Sequence, residues 1–448
     1  MKKDLTQGNV TKNMLLFAAP MILGNLLQQF YNIADTLIVG QFLGPDALAA
    51  VGSAYTLMTF LTSILIGMCM GSGALFSYYF GKKEEKRMKD SMQLSFLLIG
   101  GATILLNVTV MALRRPILRI LQVPEALMEM MHTYVWIIFT GIFFVFLYNY
   151  FAYLLRAVGN SLVPLYFLGS TAVLNVVLDL VFVTLCRWGI AGAAAATVIA
   201  QAVSGLGLMA YTWIREPKLR LSLDSFTPEK GSALEILRFS FSSSIQQSVM
   251  NFGILMIQGL VNSFGAQVMA AFAAAVKIDS FAYMPAQEFG NAFSLFISQN
   301  HGAGEKGRVR EGMRSAVRVS MLFCLFVSVL VFLFAPYLML LFIKAEETAI
   351  IAIGAGYLRV EGAFYCGIGI LFLLYGYYRG INRPEMSLVL TVISLGTRVL
   401  LAYVLAPVPR IGVLGIWSAI PIGWVLADVT GILYLRRLEQ KPAGTARH

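Results

Sequence analysis

Displaced by 221 residues, the chain overlays itself without a gap. The run GPDALAAVGSAYTLMTF, Gly44 to Phe60, falls on GAQVMAAFAAAVKIDSF, Gly265 to Phe281, so that Gly44, Ala49, Ala50, Ala54 and Phe60 meet Gly265, Ala270, Ala271, Ala275 and Phe281. Downstream, Ser77, Gly81, Arg87 and Met92 meet Ser298, Gly302, Arg308 and Met313. A later stretch repeats at an offset of 223, where Arg156, Leu165, Gly189, Gly192 and Ala196 meet Arg379, Leu388, Gly412, Gly415 and Ala419. One half was copied to make the other, in the same orientation. In an apolar chain, two such halves are the scaffold of a carrier whose central path opens alternately to either side.

The chain is apolar enough for that reading. Of its 448 residues 58% are hydrophobic and 13% charged, and the mean hydropathy is +0.75, far above what a water-soluble surface tolerates. Apolar runs of about 20 residues or more, each long enough to cross a bilayer core as a helix, recur along it. Twelve are read, six per half: 14–40, 51–76, 93–113, 133–155, 162–184, 190–214, then 234–263, 272–298, 314–340, 349–376, 386–406 and 413–436. The expected fold is all-α and membrane-integral, with a lobe over 1–220 and a second over 221–448. The polar stretch 215–233, punctuated by Pro217, Pro228 and Gly231, links them.

The net charge of +11 sorts by side of the membrane rather than forming a nucleic-acid patch. Lys and Arg gather in the N-terminal tail, in 82–89, 215–230 and 306–318, and after 435; the alternate loops carry few. The positive-inside rule then puts both termini in the cytoplasm of a bacterial inner membrane. Arg114, Arg115 and Arg119 break the pattern in the third-to-fourth loop. The first apolar run is too long for a signal-peptide core, so it is expected to stay as a span. Cys69, Cys186, Cys324 and Cys366 are isolated and read as small packing residues, and His132, His301 and His448 show no metal-ligand spacing. No G-x-x-x-x-G-K-[ST] loop occurs, which removes ATP as a direct energy source within the chain. No cofactor is expected. Pro20, Pro164, Pro285 and Pro421 lie in or beside spans, where each can kink its helix.

Polar side chains within spans need a reason, since a charge at the bilayer centre costs on the order of a few kcal/mol. Asn25, Gln28, Asn32 and Asp35 recur at intervals that stack them on one face of the first span. Thr171, Asn175 and Asp179 repeat the design on the fifth, and Thr197, Gln201 and Ser204 on the sixth. Lipid cannot satisfy those faces, so they are expected to enclose a polar chamber holding Asp35 and Asp179. Two ionised carboxylates there would repel, and either a proton or a bound cation has to relieve them. The repeat serves as a control: at the matched positions the second half has Met256 for Asp35 and Ala402 for Asp179. Its own charges are Lys277, Asp279, Glu288, Arg359, Glu361 and Arg398. Lys277 and Glu288 share a helix face but are roughly 16 Å apart along it, too far to pair. Candidate cavity residues are Gln28, Tyr31, Asn32 and Gln201 from the first half, with Gln246, Gln258, Asn262, Lys277, Asp279, Glu288, Asn291 and Arg398 from the second.

These residues resemble the multidrug and toxic compound extrusion (MATE) family, prokaryotic DinF-like branch. The resemblance covers essentially the whole chain. It rests on FYNIADTLIVGQFLGPDALAAVG (Phe30 to Gly52), its echo VNSFGAQVMAAFAAAVKIDSFAYMP (Val261 to Pro285), and LLRAVGN (Leu154 to Asn160) mirrored by YYRGIN (Tyr377 to Asn382). It implies a V-shaped pair of six-helix bundles that exports organic cations in exchange for protons or sodium ions. It also implies a first-lobe cation site at Asp35, Asn175, Asp179 and Thr197, with a backbone carbonyl near Ala193 as a further ligand for sodium. Beyond Glu235 at its very start the seventh span has no acid, and Glu361 comes too early for the tenth-helix acid of the NorM-like branch, so coupling is assigned to the first lobe.

The expected protein is thus a monomeric antiporter in the lipid bilayer, with a small organic cation as substrate. A lipid-linked oligosaccharide flippase of the same superfamily is the alternative. It would need several basic residues to hold a pyrophosphate, for which Lys277 and Arg398 are the mid-span candidates. A membrane transferase would need clustered acids or histidines at an interface, which the sequence lacks. A sensor or scaffold would leave the acids without a purpose.

Overall fold

A computed structural model describes residues 4–120, 125–221 and 231–440. Among them the chain is helical: α1 (Val10–Leu43), α2 (Pro45–Lys82), α3 (Glu85–Ile120), α4 (Glu125–Thr140), α5 (Ile142–Ala157), α6 (Leu162–Leu180) and α7 (Gly189–Arg215) form the first lobe. The second comprises α8 (Ser232–Asn262), α9 (Ala266–Gly302), α10 (Lys306–Met339), α11 (Thr348–Gly362), α12 (Tyr365–Gly380), α13 (Pro384–Leu405) and α14 (Val413–Gln440). Residues 222–230 of the expected linker lie outside the described residues, and the assigned boundary at 220/221 adjoins them.

Nine of these helices are singly long and apolar enough to cross a bilayer, and two bent pairs, α4 with α5 and α11 with α12, are so when each pair is taken together. α8 is long enough, at 31 residues, for a twelfth crossing, but it carries the polar run FSFSSSIQQS, Phe239 to Ser248. The bent pairs break by 42° at Gly141 and by 52° between Gly362 and Tyr365. Neither break falls at Pro20, Pro164, Pro285 or Pro421. Pro164 sits in the first turn of α6, where its missing N–H has no intrahelical partner to lose.

Each lobe has its own core. Phe76, Phe146, Tyr150 and Phe151 pack together in the first. In the second the Phe272 ring lies 5.4 Å from that of Trp417, nearly parallel to it, and Tyr357 meets Trp417 edge-on at 4.9 Å. Between the lobes, apolar contacts of α1 and α2 are joined by a seam of small and polar residues, where association in lipid relies on close backbone approach and hydrogen bonds.

The repeated residues form this seam reciprocally. Ser77 Oγ donates to the Leu295 carbonyl at 2.9 Å, and Ser298 Oγ donates to the Ala74 carbonyl at 2.9 Å. A Cβ at Gly81 would lie 2.0 Å from the Gln299 carbonyl oxygen, and one at Gly302 would lie 2.0 Å from that of Tyr78. The 221-residue offset carries each contact onto its reciprocal, Ser77 onto Ser298, Ala74 onto Leu295, Gly81 onto Gly302 and Tyr78 onto Gln299. The seam is therefore the intramolecular counterpart of a two-fold interface, in which one patch meets its own copy. Ser72 and Ser240 add a hydroxyl contact at 2.9 Å between α2 and α8.

A strap crosses the same end of the molecule. Buried Leu5 donates its N–H to Gln299 Oε1, and its carbonyl accepts from Asn300 and Arg308. Arg308 also donates to the Gln7 and Gly8 carbonyls, and Gln299 Nε2 donates to the Ala157 carbonyl at 2.6 Å. The residues that precede α1 are thus held by the second lobe. Val10, Met14, Phe17 and Met21 continue the attachment against Phe289, Phe293 and Phe296.

The three arginines that break the charge pattern, expected in a loop, lie instead in the last turns of α3, and one of them, Arg114, has local partners. Arg114 Nε donates to His132 Nε2 at 2.6 Å, Nη1 donates to the Met111 carbonyl, and the guanidinium stacks 4.7 Å from the Trp136 ring.

Candidate functional site

Beyond the closed seam the lobes diverge around a cavity of about 420 Å3. The polar faces of three first-lobe helices converge on it: Asn25, Gln28, Tyr31 and Asn32 of α1, Thr171 and Asn175 of α6, Thr197, Gln201 and Ser204 of α7. The second lobe contributes Gln247, Asn251, Gln287, Glu288 and Asn291. Glu288 Oε1 accepts from Asn25 Nδ2 at 3.0 Å and from Asn291 Nδ2 at 3.4 Å. A first-span amide and a second-lobe carboxylate thus join the two walls.

Asp35 and Asp179 lie just outside this lining, with their carboxyls within hydrogen-bonding reach of each other. Asp179 is the penultimate residue of α6, which passes at Val181–Leu185 into a π-helical turn. Such turns disturb the helical ladder and recur at functional sites. Asn175 Nδ2 donates to Thr197 Oγ1 at 3.4 Å, and Thr197 Oγ1 donates to the Ala193 carbonyl at 3.1 Å. Asp179 is 0% exposed and Asn175 2%. Asp35 Oδ1, both Asp179 oxygens and Asn175 Oδ1 are buried with no donor among the described residues. An all-oxygen set of this kind suits a proton or a hard monovalent cation rather than a thiophilic metal. Among the described residues no group of three or more His, Cys, Asp or Glu could hold a metal.

Several expected cavity residues lie elsewhere. Gln246 is 3% exposed and faces a small side recess. Gln258 spends its amide on Asn262 of the same helix, at 2.8 Å. Lys277 is exposed, 5.9 Å from the Phe342 ring centre, and does not reach the lining. Asp279 turns into the second lobe, where Tyr365 OH donates to it at 2.6 Å and Tyr357 OH at 3.5 Å. Glu361, 1% exposed, and Arg398 lie within electrostatic reach of Asp279 in that cluster. The second lobe therefore has a buried acid pair after all, on α9 and α11 rather than at the positions matched to Asp35 and Asp179.

Other features escaped the sequence reading. Tyr134 of α4, 5% exposed, lies within electrostatic reach of both Asp35 and Asp179, and Tyr55 lines the cavity. Tyr134 recurs in no stripe with the acids, so spacing gave no signal. Arg156 lines the cavity and Arg379 the recess. Their match in the repeat was the signal available.

Comparison with known proteins places this architecture. The MatE family model matches residues 20–181 and 240–404, once in each lobe. The probable multidrug resistance protein YpnP of Bacillus subtilis (strain 168) is 35% identical over 391 residues, 87% of either chain. A MOP superfamily transporter from Pyrococcus furiosus superposes with a TM-score of 0.89 at 24% identity, covering 97% of both chains. An outward-facing multidrug resistance MATE family transporter superposes with a TM-score of 0.89 at 24% identity over 98% of both. With a match in either half and a relative similar along nearly its whole length, this chain belongs to the MATE family of multi-pass membrane transporters, a family of carriers and not of enzymes.

Proposed function

We propose that the protein is a secondary antiporter of the bacterial inner membrane, with both termini cytoplasmic, that exports organic cations and drugs in exchange for protons or sodium ions. Asp35 and Asp179 are the coupling pair, assisted by Asn175, Thr197 and the Ala193 carbonyl. The observation that carries this reading is the cluster of buried acceptor oxygens without donors, set directly beside a cavity both lobes line. The strap and seam close the end that bears the basic turns, so on the positive-inside assignment the cavity faces outward.

In this scheme an ion entering from outside relieves the repulsion between the two carboxylates. Because α1 carries both Asp35 and the cavity residues Gln28, Tyr31 and Asn32, occupation of the ion site changes the wall that the substrate touches. Ion and substrate then favour different conformations, and that difference in affinity is what lets one drive the other. The test is drug efflux in inside-out vesicles under an imposed proton or sodium gradient. Asp35→Asn and Asp179→Asn are each expected to lower gradient-driven transport at least about tenfold, equivalent to about 1.4 kcal/mol of lost coupling. Full transport in Asp35→Asn would remove the assignment.

A further inference from the structure

Two arginines at the inner end of the cavity form no ion pair among the described residues. Arg156 and Arg379 are matched by the repeat and occupy equivalent places, in the last turn of α5 and of α12. Arg379 is 3% exposed, and its Nε has no hydrogen-bond partner among the described residues; the same holds for Arg156 Nε. Among the described residues neither guanidinium forms an ion pair with a carboxylate. Glu288 lies within electrostatic reach of Arg156 without pairing with it, its Oε1 accepting instead from Asn25 and Asn291, and it does not offset the more deeply buried Arg379. Arg156 stacks 5.3 Å from the Tyr153 ring, and Tyr153 lies within electrostatic reach of Arg379 as well. Helix C-terminal carbonyls offset about half a charge each. A buried cation left otherwise uncompensated is strongly unfavourable.

Arg379 lines a recess of about 10 Å3, together with Gln246. Gln247, Met250, Gln287 and Asn291 line both that recess and the main cavity, so the recess adjoins the cavity across these four side chains. The recess has room for one small polar group, while the body of a larger molecule stays in the cavity. We propose that Arg379 and Arg156 bind an anionic group, a carboxylate or phosphate, carried by the transported molecule. The preferred substrates are then amphoteric: an acidic group at the arginines and a cationic or neutral body reaching toward Glu288. This inference rests on the efflux reading above and narrows its substrate class.

Rhodamine 110, which carries a free carboxylate, and its methyl ester rhodamine 123 test it. Binding to the purified full chain is read by fluorescence anisotropy. The wild-type protein is expected to bind rhodamine 110 about tenfold or more tightly than rhodamine 123. The ratio of the two affinities is expected to fall to about one in Arg379→Gln and in Arg156→Gln. Equal wild-type affinities overturn the proposal without any variant having to fold, and leave the efflux reading standing. Parallel loss of both dyes in the variants, with their ratio preserved, would assign the arginines a structural role and overturn it as well. If inorganic phosphate alone stabilises the wild-type protein against heat as much as rhodamine 110 does, the site holds a free anion and not a substrate group. If neither dye binds and neither is moved by a gradient, the efflux reading fails first.

Discussion

Asp179 is fully buried, and neither of its carboxylate oxygens has a donor among the described residues. Together with Asp35 Oδ1 and Asn175 Oδ1 that makes a surplus of acceptors greater than one shared proton can satisfy. On the proposed reading a bare monovalent cation would answer this surplus, with Thr197 Oγ1 and the Ala193 carbonyl as the further candidate ligands. Sodium chloride is therefore expected to raise the melting temperature of the purified protein relative to choline chloride, in proportion to the logarithm of concentration once the site is filled. Thr197→Val, which keeps the shape and removes the hydroxyl, is expected to shift the half-saturating sodium concentration upward about tenfold. Stabilisation that follows pH and ignores sodium in both proteins would identify the proton as the coupling ion. Much of this site was legible, because Asn32 with Asp35 and Asn175 with Asp179 each recur at helical spacing along one chain segment. Tyr134 and the Asp279–Glu361 pair were not, since they meet the site, or each other, across different helices. A single sequence records no such proximity.

At the level of elements, the seam between α2 and α9 depends on two glycines. A Cβ at Gly302 would lie 2.0 Å from the Tyr78 carbonyl oxygen, a backbone atom that cannot rotate away. Gly302→Ala must therefore push α9 from α2, with an overpacking penalty of about 1–3 kcal/mol in this conformation only. That is enough to move a two-state equilibrium by about one to two powers of ten toward the conformation in which the seam is open. Ser77→Cys reports it: Ser77 is 0% exposed at the seam, so its thiol should resist maleimide in the parent and react at least about tenfold faster once Gly302→Ala is added. Unchanged labelling would mean that the seam yields without opening. The repeat alignment had already singled out Ser77, Gly81, Ser298 and Gly302 without disclosing that the copies face each other. The helix breaks were less legible. Proline marks a possible kink in sequence, but the two large bends form at Gly141 and between Gly362 and Tyr365, where neighbouring helices decide the path.

For the whole molecule, the duplicated halves must separate along the seam for the cavity to reach the other side of the membrane. The reciprocal contacts of Ser77 and Ser298, the Ser72–Ser240 pair and the Leu5–Arg308 strap all lie at one end. Alternating access by rocking requires every one of them to break in each cycle. Covalent closure at a single point should then stop transport without altering the cavity. The Ser72 and Ser240 hydroxyls are 2.9 Å apart on facing helices, one in each lobe. Cysteines there can meet disulfide geometry with little backbone movement. The Ser72→Cys/Ser240→Cys protein, made in a background where exposed Cys186 and half-buried Cys366 are replaced, is expected to lose gradient-driven efflux on mild oxidation and to regain it on reduction. Each single cysteine should be insensitive to the same treatment. The oxidised protein should still bind substrate from the cavity side, because the lining residues are untouched and the cavity is already open in this state. Transport that persists with the crosslink formed would show that the lobes do not part at α2 and α8, and would move the hinge of the cycle into the bends of α4–α5 and α11–α12 within each lobe.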